Sequence, residues 1–453
     1  MALVTSSTVT ADAYDSIVVG TGDPATDVAA VQAAVDQGGK VLLQGTFDFG
    51  EGGTVFIVND VEIYGQRSKE AYDTKIVGGY HTFTVGIERR EWAHNFDADA
   101  WFADYRVNTP VRVVIRDIEF ERPTSAAIFV VASTGLEIAE CKFFDAKAVS
   151  WESYSGRPGP MAEAVFIGPA TVDEHSWYAF RKGKGPLIMN YTGSSITGDI
   201  TVRDNVIDGN HRQDPNGIQG WEGVGIGIYV LYLGDGDHHD NRLVISGNEI
   251  RNTGHTSVVV SAAYGTTVIE RNVLVPGGDN VRIGQGMFVR EAGYFGEGNP
   301  ALAKTTIANN TIIIDNDSAA LWLDFATDAE ITGNHIVMND GMWASGIALL
   351  DGSTNSLVAD NKIEGSANGA FVLGYNWVAA PVEHNVYRGN NVSNFIPVDC
   401  PLAPGAHYAL LLGANQNLVV GNGGEVIDLG EDNVITGLTK KPGNIGQMIK
   451  AVK

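Results

Sequence analysis

"AEITGNHIVMND" (residues 329–340) and "SLVADNKIEGS" (residues 356–366) share one pattern: apolar, two spacers, Asn, one spacer, apolar. Five more segments repeat it: "ITVRDNVIDGN" from Ile200, "LVISGNEIRNTG" from Leu243, "TVIERNVLVPGG" from Thr267, "TTIANNTIIID" from Thr305 and a looser "VYRGNNVSNF" from Val386. The asparagines are Asn205, Asn248, Asn272, Asn310, Asn334 and Asn361, at successive intervals of 43, 24, 38, 24 and 27 residues. A fixed interval is the mark of a repeat architecture, so the basic unit is a coil of two dozen residues, with insertions in some coils.

A second apolar strand lies between the asparagine segments: "GIGIYVL" from Gly225, "SVVVS" from Ser257, "NVRIG" from Asn280, "AALWLD" from Ala319, "GIALLD" from Gly346, "GAFVLG" from Gly369 and "YALLLG" from Tyr408. Short β-branched runs bounded by Gly, Asn and Asp are strands and turns, and helical periodicity is almost absent after Gly39. The expected fold is all-β, a right-handed parallel β-helix whose coils stack about 4.8 Å apart. Equivalent residues then form columns. An asparagine at each bend, sitting in the left-handed region, becomes an amide ladder.

With these paired strands and this asparagine register, the chain resembles the pectin-lyase-like superfamily of right-handed parallel β-helices over about residues 55–437. The resemblance implies the β-helix fold, with activities ranging from polysaccharide lyases, hydrolases, epimerases and transglycosylases to adhesins without catalysis. It also implies a short helix over the first coil. The division expected is a cap over residues 1–60, a β-helix over 61–437 and a tail over 438–453.

The stretch "DSIVVGTGDPATDVAAVQAAVDQGGKVLLQG" (residues 15–45) fits that cap. Gly20, Gly22 and Ala25 match a dinucleotide fingerprint, but Asp23 and Asp27 crowd the helix end where a pyrophosphate belongs. The second strand ends in Gln44 rather than an acid for a ribose. Val28, Val31 and Val35 share one helical face over residues 27–36, with Thr26 the expected N-cap and Gly38 the C-cap.

The composition narrows the partners. The formal net charge is −24, against nucleic acid and anionic membranes, which require clustered Lys and Arg. No run reaches the ~18 apolar residues of a membrane span. No export signal is visible, while the fold class favours a secreted or extracellular setting. Cys141 and Cys400 are far apart and read as buried thiols rather than a disulfide framework.

Ten residues before Asn334 and Asn361 stand Asp324 and Asp351. Coils in register make these two acids vertical neighbours, roughly 5 Å apart. Such a pair raises one pKa and matches the ~5–5.5 Å separation of a retaining glycosidase. The plainer alternative is two strand-end turn residues, with "DG" at Asp351 typical of a turn.

Three insertions extend this scaffold, near residues 146–199, 211–223 and 287–304, and function concentrates on such loops. Glu222 and Glu291 are the candidate general acids there. The candidate sugar contacts are Arg282, Gln285, Trp221, Tyr264, Tyr375, Trp377 and His211, the aromatics by stacking. No metal ligand set is assigned and no cofactor is expected. The acids of "GDGDHHDN" (residues 234–241) leave Ca²⁺ open without matching an EF-hand.

Strands such as "LWL", "IALL" and "AFVL" are apolar at consecutive positions, so their outward side is also covered, by loops or by another subunit. A homo-oligomer, with a trimer favoured, is expected from this face; fructan-active β-helix transglycosylases are loosely similar. The expected function is cleavage or rearrangement of glycosidic bonds in a neutral poly- or oligosaccharide. The alternatives are a lyase on uronic-acid polymers, with Arg282 or Arg290 as base, and a non-catalytic adhesin or scaffold.

Overall fold

The structure is a computed structural model that describes residues 13–68, 71–86, 109–147, 163–168, 196–210, 212–213, 221–231, 233–234, 240–277, 285–292, 300–315, 318–374, 380–400 and 404–442. Among them is one α-helix, Pro24–Gln37. Nearly all the strands join one continuous parallel sheet that winds into a β-helix, the last of them at Thr439–Lys440.

A full coil has three faces. Face 1 carries strands such as Arg242–Ser246, Gly265–Glu270 and Ala303–Ala308. Face 2 follows the asparagine turn and includes Glu249–Arg251, Val273–Val275 and Thr311–Ile314. Face 3 includes Ile226–Leu231, Thr256–Ser261, Gln285–Arg290 and Leu321–Asp324. In the next two coils faces 2 and 3 merge into the long strands His335–Leu350 and Lys362–Gly374.

The period-2 alternation of each strand sends one set of side chains inward. On face 1 the register stacks Val202, Ile245, Ile269, Ile307, Ile331, Val358, Tyr387 and Val419 in one interior column. All eight are fully buried. Each aliphatic member of such a column contributes roughly 1.5–3 kcal/mol by leaving water.

The asparagine ladder forms, and it runs from Asn205 to Asn390. The Asn272 Oδ1 accepts both the backbone N–H and the side-chain amide of Asn248 at 3.0 Å. Its own Nδ2 donates to Ile245 O and to Asn310 Oδ1, each at 2.9 Å. The same pattern passes through Asn310, Asn334 and Asn361. One detail differs from expectation. The left-handed residue is the one before each ladder asparagine: Asp204, Gly247, Arg271, Asn309, Gly333, Asp360 and Gly389, with φ between 54° and 66°. That residue turns the chain and frees the asparagine to keep ordinary φ while its amide lies along the stack. Below Asn205 the ladder position is held by Cys141, whose N–H donates to Asn205 Oδ1 at 2.9 Å. Burial pushes the Cys141 thiol up to about 12, so it packs as an inert apolar group.

Two insertions contain parts of the stack. Within 146–199, strand Glu163–Ile167 pairs with Ile128–Val130 below and Ile226–Leu231 above. Within 287–304, residues 287–290 belong to the face 3 strand Gln285–Arg290, which pairs on both sides. Residues 280–284, the expected strand there, lie outside the described residues. Within 211–223, Arg212–Gln213 and Trp221–Glu222 form a short antiparallel pair.

The N-terminal helix caps the stack, burying Val31, Ala34 and Val35. Its N-cap is Asp23, which accepts from Thr26 N at 2.9 Å, so Thr26 lies inside the helix. Gly38, at φ 69°, ends it. The buried Asp27 carboxylate accepts from Thr21 N (2.8 Å), Thr21 Oγ1 (2.7 Å), Gly22 N (2.9 Å) and Asp48 N (2.8 Å). The amides that face a phosphate in a nucleotide site are thus filled by the chain's own carboxylate. Asp27→Ala is expected to lower stability by about 2–3 kcal/mol in urea unfolding, the range for losing bonds to a charged acceptor.

Candidate functional site

Face 3 presents two outward columns at the C-terminal end of its strands. Register pairs Ser261 with Arg290, Arg290 with Asp324, Asp324 with Leu350, and Leu350 with Gly374. The neighbouring outward column contains Val259, Phe288, Trp322, Ala348 and Val372. Further down the same face the aromatic rings continue, with Phe129 stacked on Phe166 at 4.8 Å. Much of this outward surface is buried within a single chain, including Phe129, Phe166, Val259, Ala348, Arg290 and Asp324. Those positions are covered within one chain, the first of the two covers expected for this face.

Asp324 and Asp351 lie on adjacent coils but are not strict vertical neighbours. Leu350 stands opposite Asp324, and Asp351 comes one residue later. The upper turn is longer by one residue. Asp351 and Gly352, at φ 30° and 71°, span the place that Phe325 alone fills below. A hydrogen bond from Phe325 N to Asp351 O, at 2.8 Å, ties the two turns together. Counting ten residues back from the ladder is therefore off by one in the upper coil.

Asp324 has no exposed surface. Its Oδ2 accepts from Arg290 Nη2 at 2.5 Å and Arg290 Nε at 3.2 Å. Its Oδ1 accepts from the Trp322 indole N–H at 2.8 Å. The Arg290 guanidinium also lies over the Phe288 ring, 5.1 Å from its centre, and Phe288 meets Trp322 edge to face at 6.3 Å. Burial raises the Asp324 carboxyl above the usual carboxylate range, opposed by the Arg290 charge and by the bonds from Arg290 and Trp322; the Asp351 charge raises it further. Asp351 is itself buried.

Glu291 is not on a loop over a groove. It follows Arg290 directly, and its backbone N–H donates to Asp324 O at 3.2 Å. Its side chain turns into the coil interior, where Oε2 accepts from Thr327 N at 2.5 Å and the carboxyl also bonds to the Thr305 side chain. Burial pushes this carboxyl up to about 8, with the Asp328 charge adding to the rise and the Thr327 and Thr305 bonds opposing it. It is buried in the coil interior rather than exposed on the outward columns of face 3.

The other candidates are scattered. Gln285 stands at the opposite end of its strand from Arg290, where its Oε1 accepts from Thr256 Oγ1 at 3.4 Å. Trp221 and Glu222, of which only the backbone is described, lead into the start of face 3, again away from the acids. Tyr264 is buried, its N–H bonded to Leu233 O. Arg282, Tyr375, Trp377 and His211 lie outside the described residues. Sequence reasoning missed Arg290 as a partner of Asp324 and missed Trp322 altogether. The signal was present: "MFVR" and "LWLD" share an in-out-in-out pattern that places Arg290 and Asp324 at one position.

The family model described as periplasmic copper-binding protein (NosD) matches residues 172–394, a little under half of the chain. Among the described residues there is no group of three or more His, Cys, Asp or Glu able to hold a metal ion, so they do not fit a copper centre. Most of the acidic stretch 234–241 lies outside the described residues. Also among the described residues, no helix is long and apolar enough to cross a membrane.

No curated protein matches the chain at a significant level. Among solved structures, the chain is similar to the Dettilon tailspike protein, at 14% identity and a TM-score of 0.42, covering 84% of this chain and 68% of that one. It is similar to the Agl-KA catalytic domain, at 15% identity and a TM-score of 0.44, covering 93% and 66%. It is also similar to PfbA, a surface adhesin of Streptococcus pneumoniae, at 13% identity and a TM-score of 0.44, covering 84% and 90%. Three-faced coils, an asparagine ladder and a single continuous parallel sheet make the chain a right-handed parallel β-helix, the fold that its resemblance to the pectin-lyase-like superfamily implied.

Proposed function

We propose that the protein is a carbohydrate-active enzyme that cleaves or rearranges glycosidic bonds of a neutral glycan, with Asp324 and Asp351 as the working acids. One observation carries this reading. A carboxyl with a raised pKa sits on the outward side of face 3 under the charge of a second carboxyl from the next coil. Glycosidic chemistry uses two acids, one holding a proton for the leaving oxygen and the other carrying negative charge. Arg290 and Trp322 fix the orientation of Asp324, and the Phe288 and Trp322 rings beside it suit the apolar face of a sugar. Arg290 is a poor base for a lyase, because its guanidinium is committed to Asp324 and does not lose its proton.

A binding scaffold is the second reading, favoured by the complete burial of Asp324 and its ion pair. The two separate on a panel of neutral and uronic-acid polysaccharides, followed for reducing ends and for unsaturated products absorbing in the ultraviolet. Glycosidic chemistry gives reducing ends or rearranged oligosaccharides from a neutral glycan. Unsaturated products overturn it in favour of a lyase. Binding without any product favours the scaffold.

A further inference from the structure

We propose that the coil interior beside Glu291 holds one bound water molecule, bridging Glu291 Oε1 and Thr267 Oγ1. Glu291 and Thr267 are 2% and 1% exposed, and neither of these two atoms has a hydrogen-bond partner among the described residues. They lie one coil apart. The Glu291 carboxyl bonds to the Thr305 side chain, and Thr305 pairs directly with Thr267 in the face 1 register. Buried polar atoms in folded proteins are almost always satisfied, by protein or by ordered water.

Several features identify the ligand as water. The adjoining positions are short: Ala262, Ala263, Ala292, Ala326 and Ala329 are all buried alanines. These side chains occupy less of the interior than Ile269, Ile307 and Ile331 in the face 1 column. A carboxyl and a hydroxyl together offer both donor and acceptor, which water matches and typically needs two to four times over. A hard cation requires about six or more oxygens, and the described residues bring no cluster of ligating side chains here. Ser353 and Ser356 occupy the same interior corner two coils above Glu291, but their hydroxyls already bond to Leu350 O and Ala326 O. The site is therefore confined to the coil that carries Arg290, and it stands independently of the glycan reading.

The test is a high-resolution crystal structure of the full chain, paired with water-oxygen magnetic relaxation dispersion on the wild type and Thr267→Val. The proposal expects an ordered water within hydrogen-bonding distance of both atoms. It also expects one fewer long-lived water in Thr267→Val, a nearly isosteric change. A structure in which Glu291 Oε1 and Thr267 Oγ1 bond to each other or to other protein groups, with no water between, overturns it. So does an unchanged count in Thr267→Val. Should that variant not fold, the wild-type structure decides alone.

Discussion

Replacing Arg290 with methionine is expected to cost about 3–5 kcal/mol at pH 8, the range for removing one partner of a buried ion pair. The two side chains are 4% and 0% exposed, so solvent does not take over the lost bonds. Arg290→Met leaves the Asp324 carboxylate facing an aromatic wall and the like charge of Asp351. Its escape is to take up a proton. The folded-state pKa of Asp324 then rises further, so the folded chain holds a proton that the unfolded chain releases. Stability falls as pH rises above the unfolded carboxylate pKa, and the loss is smaller at pH 5 than at pH 8. Adding Asp324→Asn removes the stranded charge, and the double variant is expected to recover much of the loss. Urea unfolding of the four members of this cycle at both pH values measures the coupling. A single-variant loss under about 1 kcal/mol would place the pair with surface salt bridges instead.

Glu291→Gln is expected to change the pH dependence of stability more than any other single substitution. The Glu291 carboxyl moves from its ordinary 4.5 to about 8 on folding. Between those values the native chain keeps a proton that the unfolded chain has lost, so stability declines as pH rises through that window and levels off above it. At about 1.4 kcal/mol for each tenfold change in proton affinity, the full decline is about 5 kcal/mol. Glutamine keeps an oxygen for Thr327 N and Thr305 but does not titrate. The variant should unfold at similar denaturant at pH 5 and need several kcal/mol more than the wild type at pH 9. Equal slopes in the two proteins between pH 5 and 8 would mean that Glu291 is already ionised in the native state.

The fold was legible because its repeat is written in a single residue type. Asn248, Asn272, Asn310, Asn334 and Asn361 recur because each amide has to meet the next one in the stack, a constraint that survives insertions of any length between coils. A second ladder, from Ser356 N to Asn385, Asn417 and Asn433, is not legible in the sequence. It begins only where interior Ala329 gives way to Ser356, so it has too few members to declare a period. The site was less legible. Asp324 was found by counting from the ladder, but the extra residue at Asp351–Gly352 shifted the register beyond the strand. Arg290 was hidden because its coil has an insertion between strand and ladder, so no asparagine stands ten residues ahead of it. Glu291 looked like a loop acid for the same reason. Whether a side chain faces inward depends on the strand it belongs to, and that strand could be identified only through its partners in space.

The most direct measurement is turnover of a neutral glycan by Asp351→Asn and Asp324→Asn beside the wild type, with circular dichroism and thermal melts to confirm that each variant is folded. Loss of acid–base assistance predicts a fall in kcat of roughly 10²- to 10⁴-fold in each folded variant. Folded variants that turn over the glycan at the wild-type rate would contradict the assignment of chemistry to these two adjacent coils.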